Sequence, residues 1–122
     1  MNQVGRELQD LCERTKRFAL RVIRLYEAVP KRGAGEIIGR QVIRSGTSVG
    51  AQYREATRAR SRAEFISKVE GALQELEETA YWFELLVEAG LIPQRRLAEL
   101  RQEAHKLTAI LIASVKTAKQ RR

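Results

Sequence analysis

The 122-residue sequence predicts an all-α protein, one domain over residues 1–122 folded as an up-down-up-down antiparallel four-helix bundle. Three observations carry that prediction. Four long stretches repeat their apolar residues in alternating steps of three and four, the spacing that gathers them on one face of a helix. Short breaks marked by Pro, Gly or a capping signal separate the stretches. Short connections in turn make successive helices antiparallel neighbours. No segment shows the alternation of a strand.

The first helix is expected over about 4–29, because Val4, Leu8, Leu11, Thr15, Phe18, Val22, Leu25 and Val29 hold an unbroken heptad seam. Pro30 ends it, and residues 31–35 form the turn. The second helix is expected over about 36–57 and is the least helical by local preference. Gly46 and Gly50 each cost about 1 kcal/mol relative to Ala, and Ser45, Thr47 and Ser48 favour turns. Ile38, Val42, Ser45, Val49, Gln52 and Ala56 nevertheless keep the helical beat. Small residues held in register in this way imply that another helix approaches closely there.

Ser61 and Glu64 form an S-x-x-E capping box that opens a third helix over about 62–89. Its seam runs Phe65, Val69, Ala72, Leu76, Thr79, Phe83, Leu86. Gly90 suits the residue beyond the helix end, and Pro93 suits the first position of the next helix. The fourth helix, about 93–118, carries Leu97, Leu100, Ala104, Leu107, Leu111, Ser114 and Ala118, and residues 119–122 make a short, frayed basic tail. Apolar residues also lie off these seams: Ile23, Tyr26, Ile37, Ile43, Tyr53, Trp82, Val87, Ile110 and Ile112. That surplus fits wide core stripes, and it also fits a second buried face between subunits.

Net charge is +8 and the isoelectric point about 10.2, a balance that favours acidic partners, nucleic acid first. The charge is uneven. Residues 1–62 carry a net +8, residues 63–90 a net −6 and residues 91–122 a net +6, so an acidic third helix sits inside a basic protein. Cys12 is the only cysteine, which excludes an internal disulfide and fits a reducing cytoplasm. Glu7, Asp10, Glu13 and Arg14 break any apolar leader, and no stretch is long and apolar enough to span a membrane.

A set of residues also carries a family resemblance. Gln41, Arg44, Ser45, Ser48, Val49, Ala51, Glu55 and Ala56 belong to it, followed by Ser61, Glu64, Phe65, Lys68, Glu75, Glu78, Thr79, Tyr81 and Trp82. Together they resemble the bacterial four-helix-bundle proteins first met in intervening sequences of large-subunit ribosomal RNA genes. The likeness covers roughly residues 18–116, and its most specific parts are QxxRSGxSVxA and ExxETAYW. Gln52 stands where the family usually has Asn. The resemblance implies a closed bundle, often assembled as a homopentamer around a central channel, with no enzymatic activity attached. It further implies kinship with the accessory variability determinant proteins of diversity-generating retroelements, basic pentamers that bind a reverse transcriptase and nucleic acid.

Two arginine lines are the candidate nucleic-acid contacts: Arg14, Arg17, Arg21 and Arg24 on the first helix, and Arg40, Arg44, Arg54 and Arg58 on the second. The planar guanidinium fork suits phosphate, although such lines also serve as solvated flanks or pair with neighbouring acids. Glu70, Glu77 and Glu84, seven apart, are expected to pair with them within or between subunits. A di-iron reading fails, because the Glu-x-x-His motif is absent: His105 is the only histidine and Gln102 stands three residues before it. Ser48 has no His or Asp in motif spacing for a nucleophile. Tyr81, Trp82 and Phe83 point in three directions, so Trp82 is expected as a packing anchor rather than one step of a base-stacking platform. Gly46, Gly50 and Tyr53 are assigned with it to tight packing or subunit contact.

The reading that follows is a cytoplasmic, non-catalytic homo-oligomer, a pentamer, that binds RNA through Arg-lined surfaces without cofactor or metal. Its alternative is a protein-interaction scaffold, for example an accessory subunit of a reverse transcriptase.

Overall fold

The computed structural model describes residues 2–121, and its regular elements are four helices: α1 (Gln3–Ala28), α2 (Gly33–Thr57), α3 (Arg62–Glu88) and α4 (Gln94–Gln120). Each helix packs on the next in chain order, and the diagonal pairs stay apart, giving the up-down-up-down bundle. The tightest pair is α2 with α3, whereas α1 and α4 barely touch. Among the described residues no helix is long and apolar enough to cross a membrane.

Local chemistry explains the ends. The Asn2 side chain caps α1 by accepting from the Gly5 N–H at 2.7 Å. Ser61 Oγ accepts from the Glu64 N–H at 3.0 Å, while the Glu64 carboxylate reaches back past Ser61 to the Arg60 N–H, also at 3.0 Å. Gly90, at φ +71°, turns the chain after α3, so that the Leu91 N–H reaches the Leu86 carbonyl at 2.9 Å.

Three boundaries differ from expectation. α2 begins at Gly33, inside the expected turn, and Gly33 makes the entry to the helix with a left-handed φ of +57° that glycine adopts without strain. Pro93 caps α4 rather than starting it, since its ψ of 142° is extended. Lys119 and Gln120 continue α4 instead of fraying, while Arg122 lies outside the described residues.

The core is built from the expected seams. Phe18, Val22, Leu25, Val42, Val49, Val69, Leu76, Phe83, Leu86, Leu97, Leu107 and Leu111 are buried, and Phe18 meets Phe83 edge to face across the bundle with ring centroids 6.4 Å apart. In α4 the seam shifts near its end: Val115, not Ser114, is buried, because the stripe takes a second step of four after Leu111. Of the off-seam residues, Tyr53 is core, Tyr26, Ile43, Trp82, Val87 and Ile110 are half-buried, and Ile23, Ile37 and Ile112 are exposed. Cys12 is a half-buried free thiol.

The glycines of α2 bring it onto α1. A Cβ on Gly46 would stand 2.8 and 2.9 Å from the two Val22 methyls, and one on Gly50 would stand 3.1 Å from Thr15 Oγ1. Both positions are therefore close-approach sites within the subunit.

Candidate nucleic-acid interface

The two sequence stretches that carry the family likeness face each other across α2 and α3. At the centre, the Thr79 hydroxyl donates to Ser45 Oγ at 2.7 Å in the buried core, and the Ser45 hydroxyl donates to the Gln41 carbonyl at 2.9 Å. Each hydroxyl also lies within reach of a carbonyl one turn back on its own helix, Thr79 of Glu75 at 2.7 Å and Ser45 of Gln41, and the bond between them ties the two helices together for about 1 kcal/mol. Beside it, Arg44 reaches both carboxylates of a Glu-x-x-Glu pair: Glu75 at 3.2 Å, and Glu78. The Trp82 indole N–H donates to the same Glu78 carboxylate at 3.0 Å. These bonds, the Trp82 one first and then that from Arg44, hold the Glu78 carboxyl below its ordinary range despite the opposing effect of burial. Lys68 extends the seam to Glu55 at 3.0 Å. Trp82, half-buried, packs against the core from this flank.

The structure divides the arginine lines. Arg14 is tied across the α1–α4 seam in a two-pronged pair with Glu103, Nε to Oε2 at 2.8 Å and Nη2 to Oε1 at 2.9 Å. Arg44 is committed to α3, and Arg40 pairs along its own helix with Glu36 at 2.7 Å. Arg17, Arg24, Arg54 and Arg58 are exposed, Arg21 is half-buried, and none of the five forms an ion pair or a guanidinium hydrogen bond among the described residues. They are the part of the two lines left to face solvent or a ligand.

Within the subunit, Glu70, Glu77 and Glu84 do not pair with those lines among the described residues. That heptad stripe lies on the α4 side of α3, so Glu70 meets Lys119 at 3.6 Å, while Glu77 and Glu84 line a shallow cleft with Arg101 and the exposed His105. The acids that do engage the lines are Glu36, Glu75, Glu78 and Glu103; Glu75 and Glu78 carry part of the family resemblance, but none of the four was expected as an arginine partner. Their signal was available: Glu75 and Glu78 are one turn apart on the flank of the α3 seam that faces α2. Among the described residues no cluster of His, Cys, Asp and Glu is arranged to hold a metal ion. Ser48 spends its hydroxyl on the Arg44 carbonyl at 2.7 Å.

The Arg14–Glu103 pair makes a pH prediction. The hydrogen bond from Arg14 holds the Glu103 carboxyl below its ordinary range, burial opposing and nearby Arg21 and Lys106 assisting. A carboxyl depressed in the folded state adds stability above its unfolded pKa of about 4.3, and that stability disappears as pH falls through the lower folded value. Wild type is therefore expected to melt higher than Glu103→Gln at pH 6, with the gap closing toward pH 3. A gap of constant size from pH 6 to pH 3 in circular-dichroism melts contradicts the assignment.

Fold and surface together define the class: a basic four-helix bundle with buried polar latches and solvent-facing arginines. The chain belongs to the 23S rRNA-intervening sequence protein family, whose family model matches residues 7–113. It is similar to a crystal structure of a protein of unknown function from the S23 ribosomal protein family of Bacteroides thetaiotaomicron, at 35% identity and a TM-score of 0.80. The match covers 86% of this chain and 97% of that one. Among curated proteins no significant match is found.

Proposed function

We propose that this protein is a non-catalytic homo-oligomeric bundle, a ring of five copies, that binds RNA through the exposed arginines of α1 and α2. One observation carries the reading: Arg17, Arg21, Arg24, Arg54 and Arg58 have no carboxylate partner among the described residues, on a chain of net charge +8. Uncompensated arginines in such numbers gain by displacing counterions from a phosphate backbone. The free arginines offer charge rather than a fixed pattern of paired donors and acceptors, so the binding expected is electrostatic and tolerant of sequence. Assembly is supported by large apolar side chains left in water, Leu20 at 45% and Ile37 at 68% exposure among them. In a ring the arginine stripes repeat by symmetry, and modest contacts per subunit combine through effective concentration.

Two measurements test this. Light scattering coupled to size exclusion should give a closed oligomer of five chains at micromolar concentration, and a monomer there defeats the assembly half. Titration with single-stranded and structured RNA should show affinity falling steeply with salt, by about 0.7–0.9 in log–log slope for each phosphate neutralised. An oligomer that binds no RNA or DNA even at low salt favours the scaffold role instead.

A further inference from the structure

The bundle is sealed along three of its seams and open along the fourth. Where the first turns of α1 approach the last turns of α4, a groove of about 720 Å³ enters the bundle. Val4, Leu8, Leu11, Phe65 and Ile110 give it an apolar wall. Val4, Leu8 and Leu11 begin the α1 seam, yet Val4 is 43% exposed and the other two are only half-buried, because α4 does not close over them.

Tyr53 forms part of the lining. It is 1% exposed, and its hydroxyl makes no hydrogen bond among the described residues. No side-chain oxygen or nitrogen in the described residues is both fully buried and unpartnered, so the small accessible part of Tyr53 includes its hydroxyl, which opens into the groove. An accessible phenol hydroxyl without a protein partner, set in an apolar wall, is free to donate to the acceptor of a bound molecule.

We propose that this groove binds a small neutral molecule, mostly apolar, whose carbonyl or hydroxyl oxygen accepts a hydrogen bond from Tyr53. The volume lies in the range of small-molecule sites, roughly 300–1,000 Å³. Burial, with Cys12 and Glu7 adding to it, pushes the Tyr53 phenol far up, so it remains a donor. Glu7 and Asp10 in the lining disfavour an anion, and Arg14 is already held by Glu103. Arg62 and Arg121 also line the groove, but both are exposed and their charge stays hydrated.

The test uses the full chain and Nile red, a neutral dye with a ring carbonyl and polarity-sensitive emission. Wild type should show saturable, blue-shifted binding. Ala113→Trp and Thr117→Trp, at exposed positions that line the groove, should each fill it and abolish binding. Tyr53→Phe, which removes the hydroxyl alone, should weaken binding about fivefold, as expected for one neutral hydrogen bond. Circular-dichroism melts confirm that each variant is folded, and the two Trp positions guard against one failing to fold. Absence of saturable binding, or binding unchanged in both folded Trp variants, overturns the proposal. So does dye binding that grows as the protein is diluted while the Trp variants lose their oligomer, which would make the groove a contact between copies.

Discussion

Gly46→Leu is expected to melt about 4–12 °C below the parent, a loss of about 1–3 kcal/mol. The reason is local and rigid. Even the first carbon of the new side chain would stand 2.8 Å from one Val22 methyl and 2.9 Å from the other. Val22 is fully buried and β-branched, so its χ1 cannot swing aside in a helix. The gain of about 1 kcal/mol in helix preference on replacing Gly does not offset that overlap. Gly71→Ala is the control. There the new Cβ would meet the Gln52 amide oxygen at 2.0 Å, but that group is the far end of a flexible side chain and can move away. Gly46→Ala should therefore destabilise while Gly71→Ala stays near neutral. Equal thermal shifts for the two Ala variants would show that packing of α2 on α1 is not what Gly46 provides.

Replacing Arg17, Arg21 and Arg24 together by Gln is expected to cut RNA affinity and flatten its salt dependence, leaving the oligomer unchanged and lowering the melt only slightly, through the lost attraction between Arg21 and Glu103. Three lost phosphate contacts lower the log–log slope by about 2 per subunit, so raising salt from 50 to 200 mM would cost wild type about 16-fold more than the variant. The structure sets the choice of residues. Arg14 belongs to the same line, but it holds Glu103 across the α1–α4 seam. Its removal would confuse loss of fold with loss of contact. Arg14→Gln should accordingly lower the melting temperature with a smaller effect on the salt slope. If the triple variant dissociates the oligomer and leaves the RNA affinity of the remaining species unchanged, the α1 stripe is an assembly surface.

Most of the architecture was legible because the signals were redundant. The seams of α1 and α3 run for their whole length, and Pro30, Gly90 and the Ser61–Glu64 box each mark a break for a separate physical reason. The close approach at Gly46 and Gly50 was visible as small residues kept in helical register, although the sequence could not say that α1 was the partner. The arginine lines were visible as spacing, but not their division into paired and unpaired members. Arg14 and Glu103 are 89 positions apart, and Arg44 lies 31 and 34 from its two glutamates. Which flank of each helix meets which neighbour fixes those pairs, and the seam alone leaves that open. Tyr53 shows the same gap. As an off-seam aromatic it read as a packing or subunit residue, whereas the structure places its ring in the core and its hydroxyl on an open groove.

The uneven closure of the four seams also bears on how the chain folds. The strongest helix pair, α2 with α3, is joined by four connecting residues, and the Ser45–Thr79 bond spans only 34 positions. The weakest contact, α1 with α4, closes the longest loop in the molecule. Loop entropy thus falls most heavily on the step with the least to gain, and the chain can assemble hairpin by hairpin before that step occurs. Such an order keeps most native contacts local, which places this bundle among topologies that reach the folded state in microseconds to milliseconds.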